Sequence, residues 1–253
     1  MKILGVIPAR YASSRFPGKP LVMINGKSMI QRVYEQAIQC TKLVRVVVAT
    51  DDESICSHVR LFGGNVLMTG EHHTSGTERC CEIVQKLRAE GENYDYVINI
   101  QGDEPFIEPD QISQLAACFE DSQIQLATLI KKIESHNELT SFNVVKAVID
   151  KQGFALLFSR SIIPFIRGKD QKDWLQAATF YKHIGIYGYQ TQVLEKIVAL
   201  PVSELECAES LEQLRWLDYG YKIKTQITEF ESIAIDSPAD LLKITNTNGT
   251  FYQ

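Results

Sequence analysis

The stretch GVIPARYASSRFPGKP, residues 5–20, carries three cations, Arg10, Arg15 and Lys19, through a segment broken by Pro8, Pro17, Gly18 and Pro20. So many interruptions exclude a regular helix or strand. The chain as a whole is acidic, with a formal net charge of −5, so the cations answer to a local anion. Phosphate oxygens suit them: backbone N–H groups of the small residues can wrap the anion while the side chains neutralise it. A solvated loop with scattered cations is the plainer alternative.

A second stretch, INIQGDEPFIEP (98–109), sends Gln101, Gly102 and Asp103 out of an apolar run. A carboxylate at the end of a buried strand is costly unless it is paired or bound to metal. Asp103 can hold a magnesium ion that bridges phosphate oxygens. Alternatively Asp103 and Glu104 cap the helix that follows, a role that suits Asp110 better. A third stretch, HHTSGTER (72–79), places Ser75, Gly76 and Thr77 in a small polar turn before a helix. That turn can read the edge of a base, or Ser75 or Thr77 can simply cap the helix. The adjacent His72 and His73 are expected to face solvent rather than bind metal. Two motifs are decoys. Gly26-Lys27-Ser28 lacks the glycine a phosphate-binding P-loop needs five positions earlier, where Leu21 stands, and no G-x-G-x-x-G follows the first apolar run.

The elements that must position these residues follow from periodicity. ILGVI (3–7), VRVVVAT (44–50), NVLMT (65–69) and YVINIQ (96–101) read as strands apolar on both faces, as in a parallel sheet. Amphipathic patterns over 29–40, 53–62 and 77–90 separate them as helices, with Asp52 capping the second and Gly63-Gly64 ending it. This β-α-β-α order predicts a doubly wound α/β sheet whose strand-end loops bind the ligand. After residue 125 the order changes. LATLIKK, VVKAVI and ALLFSR are strands without long helices between them, which predicts antiparallel pairing. KHIGIYGY (182–189) is another strand, and helices are expected over 191–200 and, unbroken, over 204–219. Strands near 222–228 and at 233–235 follow, then a last helix opened by Pro238 and capped by Ser237. Residues 168–180 are the most polar stretch, expected to be mobile. The chain thus reads as one domain over 1–253 with an insertion at 130–200.

Of 253 residues 45% are hydrophobic and 23% charged, enough for one sizeable core. The acidic balance argues against a nucleic-acid partner. No apolar run approaches the roughly 20 residues of a membrane span, and Arg10 cuts the first apolar run too early for a secretory signal. Six cysteines occur without any C-x-x-C spacing, which disfavours zinc and disulfide frameworks and predicts reduced thiols in a cytoplasmic protein.

Taken together, VIPARYASSRFPGKPLVMINGK, VVVATDD, HHTSGTERCCEIV, VINIQGDEPFI, FNVVKAV, ALLFSRSIIP, KHIGIYGY, LEQLRWLDYGYKI and IDSPADL, in this order, closely resemble the 3-deoxy-manno-octulosonate cytidylyltransferase family. The resemblance runs from about residue 3 to 245. The segments around PAR-YAS-SR-PGK and QGDEP mark the wider cytidylyltransferase group, sialic-acid activators included, whereas SRxxIP, HxGIYGY and LEQLR are narrower. The family's reaction is implied: CTP and the octulosonate sugar KDO give CMP-KDO and pyrophosphate, with magnesium as cofactor, for the inner core of lipopolysaccharide. By the same resemblance Ala9, Arg10, Ser14, Arg15 and Lys19 hold the triphosphate, and Arg10, Arg15, Lys19 and Asp103 form the catalytic set. Ser75, Gly76, Thr77 and Gln101 meet the cytidine, and Asp103 and Asp236 hold magnesium. Arg160, His183, Tyr187, Glu212 and Gln213 line the sugar site, with Arg160 on the sugar's carboxylate. A homodimer built through the β-rich insertion is implied too. Each later residue also has a plain reading: Tyr187 and Tyr189 as packing, His183 as a core histidine, and Glu212 paired with Arg215 at three-residue spacing. Ser28, where the family commonly has proline, and Cys80-Cys81 are mild departures remote from the chemistry.

Overall fold

The computed structural model describes residues 1–12, 16–231 and 233–246. Strand β1 (Ile3–Ala9) is buried at every position except Pro8, which is half-buried. Beyond it Gly18 N–H donates to the Tyr11 carbonyl (2.9 Å), and a 3-10 turn at Lys19–Leu21 follows. Strands β2 (Met23–Ile24) and β3 (Lys27–Ser28) form a hairpin not read from the sequence. Its turn residues Asn25 and Gly26 have φ of 48° and 82°, the paired positive angles for which Asn-Gly is the preferred dipeptide. Ser28 then caps α1 (Met29–Ala37), accepting the Gln31 N–H, and Met29, Ile30, Val33, Tyr34 and Ala37 face inward.

Strand β4 (Leu43–Thr50) pairs in parallel with β1. Asp52 caps α2 (Glu53–Leu61) through the Ser54 and Ile55 N–H groups, an interaction worth about 1 kcal/mol. Gly63, at φ 81°, ends that helix. Strand β5 (Val66–Met68) pairs in parallel with β4. Helix α3 (Gly76–Ala89) leads to β6 (Tyr96–Asn99), which pairs in parallel with the other side of β1. Helix α4 (Pro109–Ala117) comes next, so Asp110 lies in its first turn rather than before it.

The chain forms two compact units, one of residues 1–113 with the segment after 231, the other of residues 114–231. In the second, β7 (Leu126–Lys132), α5 (His136–Thr140), β8 (Lys146–Ile149), β9 (Ala155–Ser159), α6 (Trp174–Ala177) and β10 (Tyr181–Gln190) follow in order. Strand β10 pairs antiparallel with β7 and β8, and β8 antiparallel with β9, as expected from the missing crossover helices. The polar segment 168–180 nonetheless anchors itself, because Trp174 and Phe180 are buried against Ile133 and Leu139.

Helix α7 (Thr191–Val198) is followed by α8 (Glu204–Glu209) and α9 (Gln213–Asp218), two helices where one was expected. Ser210, at φ 52°, breaks the run. The carbonyls left free at the end of α8 are satisfied by the Arg160 guanidinium, which donates to the Glu209 and Ser210 oxygens at 2.7 and 3.4 Å. Strand β11 (Ile223–Ile227) pairs in parallel with β7.

Back in the first unit, residues 233–235 form no strand. Ile235 is instead fully buried, and its N–H donates to the Asp103 carbonyl (2.9 Å). Ser237 caps α10 (Pro238–Asn246): its hydroxyl accepts the Asp240 N–H, and the Asp240 carboxylate accepts the Ser237 N–H.

Candidate active site

In the first unit the parallel strands lie in the order β6-β1-β4-β5. The chain moves from β1 outward to β5, then returns to the far side of β1. This reversal sets the carboxyl ends of β1 and β6 side by side and opens a crevice between the loops that leave them. A cleft of about 460 Å³ occupies that position, lined by Ala9, Arg10 and Lys19 from the first loop and by Gln101, Gly102 and Asp103 from the second. Gly76 from the start of α3 and Asp236 from the C-terminal segment line it as well.

Two carboxylates 133 residues apart in the chain meet at one cation. Lys19 Nζ lies 2.8 Å from Asp103 Oδ2 and 3.2 Å from Asp236 Oδ1, with only 12% of the lysine side chain exposed. An apolar cluster fixes this meeting point. Ile24, Met29 and Ile235 are fully buried together, with Phe16, Phe106 and Leu241 packed on them. Phe16 precedes Lys19 by three positions, Phe106 follows Asp103 by three and Ile235 adjoins Asp236. Each loop that brings a charge therefore also contributes an apolar anchor. Burying an isoleucine of this kind stabilises by about 1.5–3 kcal/mol. Gly102 is required by close approach, since a Cβ there would stand 2.5 Å from the Pro8 carbonyl oxygen.

Of the turn before α3, Gly76 reaches the cleft wall, whereas the Ser75 hydroxyl caps the helix. It accepts the Glu78 N–H at 3.2 Å while the Glu78 carboxylate accepts the Ser75 N–H at 3.3 Å, a capping box. Thr77 is buried. Ser14 and Arg15 lie outside the described residues. His73 packs on His72, with ring centroids 4.2 Å apart, and its Nε2 meets Glu82 Oε2 at 2.5 Å.

Arg79, which also lines the cleft, was not singled out from the sequence. Its guanidinium is 1% exposed, donates to Thr69 Oγ1 (2.6 Å) and to the Asp51 carboxylate, and keeps a buried Nε without a partner. A cation in the first turn of a helix, where the dipole opposes it, was the available signal.

The remaining candidates belong to the second unit. Arg160 spends three of its five N–H groups on backbone carbonyls, those of Glu209, Phe142 and Ser210. His183 Nε2 lies 3.0 Å from Thr128 Oγ1. That hydroxyl already donates to the Ile186 carbonyl (2.7 Å), so it accepts from His183 and leaves Nδ1 as an acceptor. Burial pushes the His183 imidazole down to about 3, which keeps it neutral at pH 7. Its ring packs 5.1 Å from that of Tyr187. Tyr187 in turn meets Trp216 edge-on at 5.1 Å. Trp216 Nε1 is buried without a hydrogen-bond partner, and burial raises the Tyr187 phenol well above its usual range. Arg215 binds Glu206 through two bonds, of 2.7 and 2.6 Å, and stands 4.0 Å from Glu212, so Glu206 is its main partner. Gln213 is buried at the start of α9.

No helix among the described residues is long and apolar enough to cross a membrane. The cytidylyltransferase family model matches residues 4–225. A 3-deoxy-manno-octulosonate cytidylyltransferase of Parabacteroides distasonis is 56% identical over 247 residues, covering 96% of each chain. An 8-amino-3,8-dideoxy-manno-octulosonate cytidylyltransferase of Shewanella oneidensis is 46% identical, covering 96% of this chain and 97% of its own. A solved structure of CMP:2-keto-3-deoxy-manno-octonic acid synthetase complexed with CTP superposes with a TM-score of 0.89 at 42% identity, covering 98% of each chain. With a switch-point cleft, its cation and its two carboxylates in the order the motifs predict, the chain belongs to the 3-deoxy-manno-octulosonate cytidylyltransferase family.

Proposed function

We propose that the protein transfers the cytidylyl group of CTP to KDO. The anomeric hydroxyl oxygen bonds to the α-phosphorus, the bond from that phosphorus to the bridging oxygen breaks, pyrophosphate leaves and the hydroxyl proton is released. The observation that carries this reading is the convergence of Lys19, Asp103 and Asp236 in the cleft, 2.8 and 3.2 Å from ammonium to carboxylates. Such chemistry needs positioning and charge neutralisation more than covalent catalysis. Arg10 and Lys19 supply positive charge to the triphosphate from the cleft wall that Gly76 and Gly102 share. Gln101 and the turn at Ser75, Gly76 and Thr77 adjoin the cytidine in this reading.

The donor set fits magnesium. Two carboxylates aimed at one point, with phosphate oxygens completing the shell, are what this hard ion prefers. Among the described residues no third His, Cys, Asp or Glu forms a cluster with them, so phosphate oxygens and water would supply the other ligands. Bound by Asp103 and Asp236, the ion would neutralise phosphate charge and lower the pKa of the attacking hydroxyl.

For the sugar, Arg160 retains two N–H groups beyond the three that fix it, the fork a carboxylate accepts. His183 Nδ1 can accept from a sugar hydroxyl, and the Tyr187 hydroxyl can bond to another; Glu212 and Gln213 add polar ends from the turn that Arg160 holds. A homodimer is supported by β9, whose Leu156 and Leu157 are 60% and 39% exposed. Free cysteines, of which Cys40, Cys56, Cys80 and Cys81 are buried, suit a reducing cytoplasm.

The test is pyrophosphate release from CTP and magnesium with KDO, its 8-amino analogue or sialic acid. Brisk release with KDO is expected. None with KDO but turnover of another sugar would overturn the substrate, and tight CTP binding without turnover of any sugar would make the protein a nucleotide sensor.

A further inference from the structure

The second unit holds a carboxylate that the reaction does not use. Glu209 ends α8 and reaches back across 50 residues of sequence to the end of β9. Its Oε1 accepts the Ser159 hydroxyl at 2.6 Å, and its Oε2 accepts the Arg160 N–H at 2.9 Å. Its backbone carbonyl accepts Arg160 Nε at 2.7 Å, and the next carbonyl, of Ser210, accepts Nη2 at 3.4 Å. From the other side Lys146, fully buried on β8, donates to the Arg160 carbonyl at 2.8 Å as well as to those of Ser141 and Val144. The backbone N–H, the carbonyl and three of the five guanidinium N–H groups of Arg160 are thus committed. The same bonds pin the left-handed Ser210 turn, from which Glu212 and Gln213 follow within three residues.

We propose that Glu209 is the positioning residue of the sugar pocket, one carboxylate that locks Arg160, just after β9, to the turn that carries Glu212 and Gln213. The role rests on the assignment of those three residues to the sugar. Two of its features are hard to explain as generic stability. The carboxylate spends both oxygens on adjacent residues of one strand end, and the guanidinium it steadies is stitched to carbonyls while still keeping free donors. A side chain with five donors and long flexible bonds recognises a carboxylate tightly only when its orientation is fixed beforehand. Displacement of a reacting partner by about 1 Å can cost about a hundredfold.

The experiment compares Glu209→Ala and Glu209→Gln with the unsubstituted protein in steady-state assays varying each substrate, alongside CTP titration and thermal melting. The alanine variant is expected to raise the sugar KM by about tenfold or more, with the CTP KM and CTP binding unchanged. The glutamine variant, which keeps one acceptor oxygen, should fall between. A purely structural glutamate would lower the melting temperature and disturb both substrates together. An unchanged sugar KM, or equal effects on both KM values, overturns the proposal while the parent reading stands. Failure of the unsubstituted protein on every acidic sugar overturns the parent reading itself. Should the alanine variant not fold, the glutamine variant alone carries the same comparison.

Discussion

The Lys19 ammonium lies 2.8 Å from Asp103, 84 positions away in the sequence, and shares its charge with Asp236 at 3.2 Å. Three loops therefore cross at one cation. An ammonium and a divalent ion both seek these same oxygens, and they cannot both occupy the space between them.

Removing the ammonium should accordingly free the carboxylates for metal. In Lys19→Met, two anions face each other without compensation, so their affinity for a divalent cation rises. Without nucleotide, manganese titration followed by electron paramagnetic resonance should show binding tighter by about tenfold, an ordinary coupling strength. CTP binding should weaken in the same variant, because a phosphate counter-charge is gone. Equal manganese affinity in both proteins would dissociate Lys19 from the metal site.

Asp103→Asn tests the opposite side of the pair. The amide keeps the shape but withdraws the charge, so turnover should fall by about a hundredfold or more while the circular dichroism spectrum stays that of the parent. The Ile235 N–H bonds to the Asp103 backbone carbonyl rather than to its side chain, which is why the loop is expected to survive. Activity near the parent level would remove Asp103 from the proposed metal site.

The parts of this site written in local chemistry were legible in the sequence. Apolar runs located β1, β4, β5 and β6, and the changed order after residue 125 announced antiparallel pairing. The meeting of Asp103 with Asp236 came from the family resemblance, because nothing local in either segment names its partner 133 positions away. What escaped was tertiary. The Ser210 break looks helical by pattern, since a serine in a run of Glu, Leu and Ala carries no stop signal. It is broken by Arg160 capturing carbonyls from a distant strand. The stretch 233–235 alternates like a strand, yet Ile235 is drawn into the cluster of Ile24 and Met29 instead of a ladder. Conversely, the Asn25-Gly26 hairpin was readable and went unread, hidden behind the resemblance of Gly26-Lys27-Ser28 to a P-loop tail.

Arg160→Ala separates the two substrates. Three carbonyls hold the guanidinium in the second unit, whereas the cleft proposed for the triphosphate is lined wholly by residues of the first. The sugar KM should therefore rise by about tenfold or more, the usual scale for a lost charge-assisted carboxylate contact, and the CTP KM should hardly move. Equal effects on both would assign Arg160 to scaffolding.

The last prediction concerns acid. His183 is held down to about 3 by burial, below the usual 6.5 of an unfolded histidine. Between those values the unfolded chain binds the extra proton and the folded one does not, so stability falls as pH drops through 6.5 toward 3 and is unaffected above 6.5. One such group contributes a slope of at most about 1.4 kcal/mol per pH unit. Glu82 acts in the same direction lower down. Burial opposes its ionisation, but Lys86, the Gly70 N–H and His73 bring it to about 2, so its loss begins only below the ordinary 4.5 of a glutamate. The interval from 6.5 to 4.5 therefore isolates His183 from Glu82. Replacing it by glutamine, whose amide N–H can still donate to Thr128, should flatten the decline in melting temperature across that interval relative to the parent, while the decline below 4.5 persists. A variant that tracks the parent from pH 6.5 to 4.5 would mean that His183 takes up its proton freely in the folded protein, and that its Nδ1 is not the fixed acceptor proposed for the sugar.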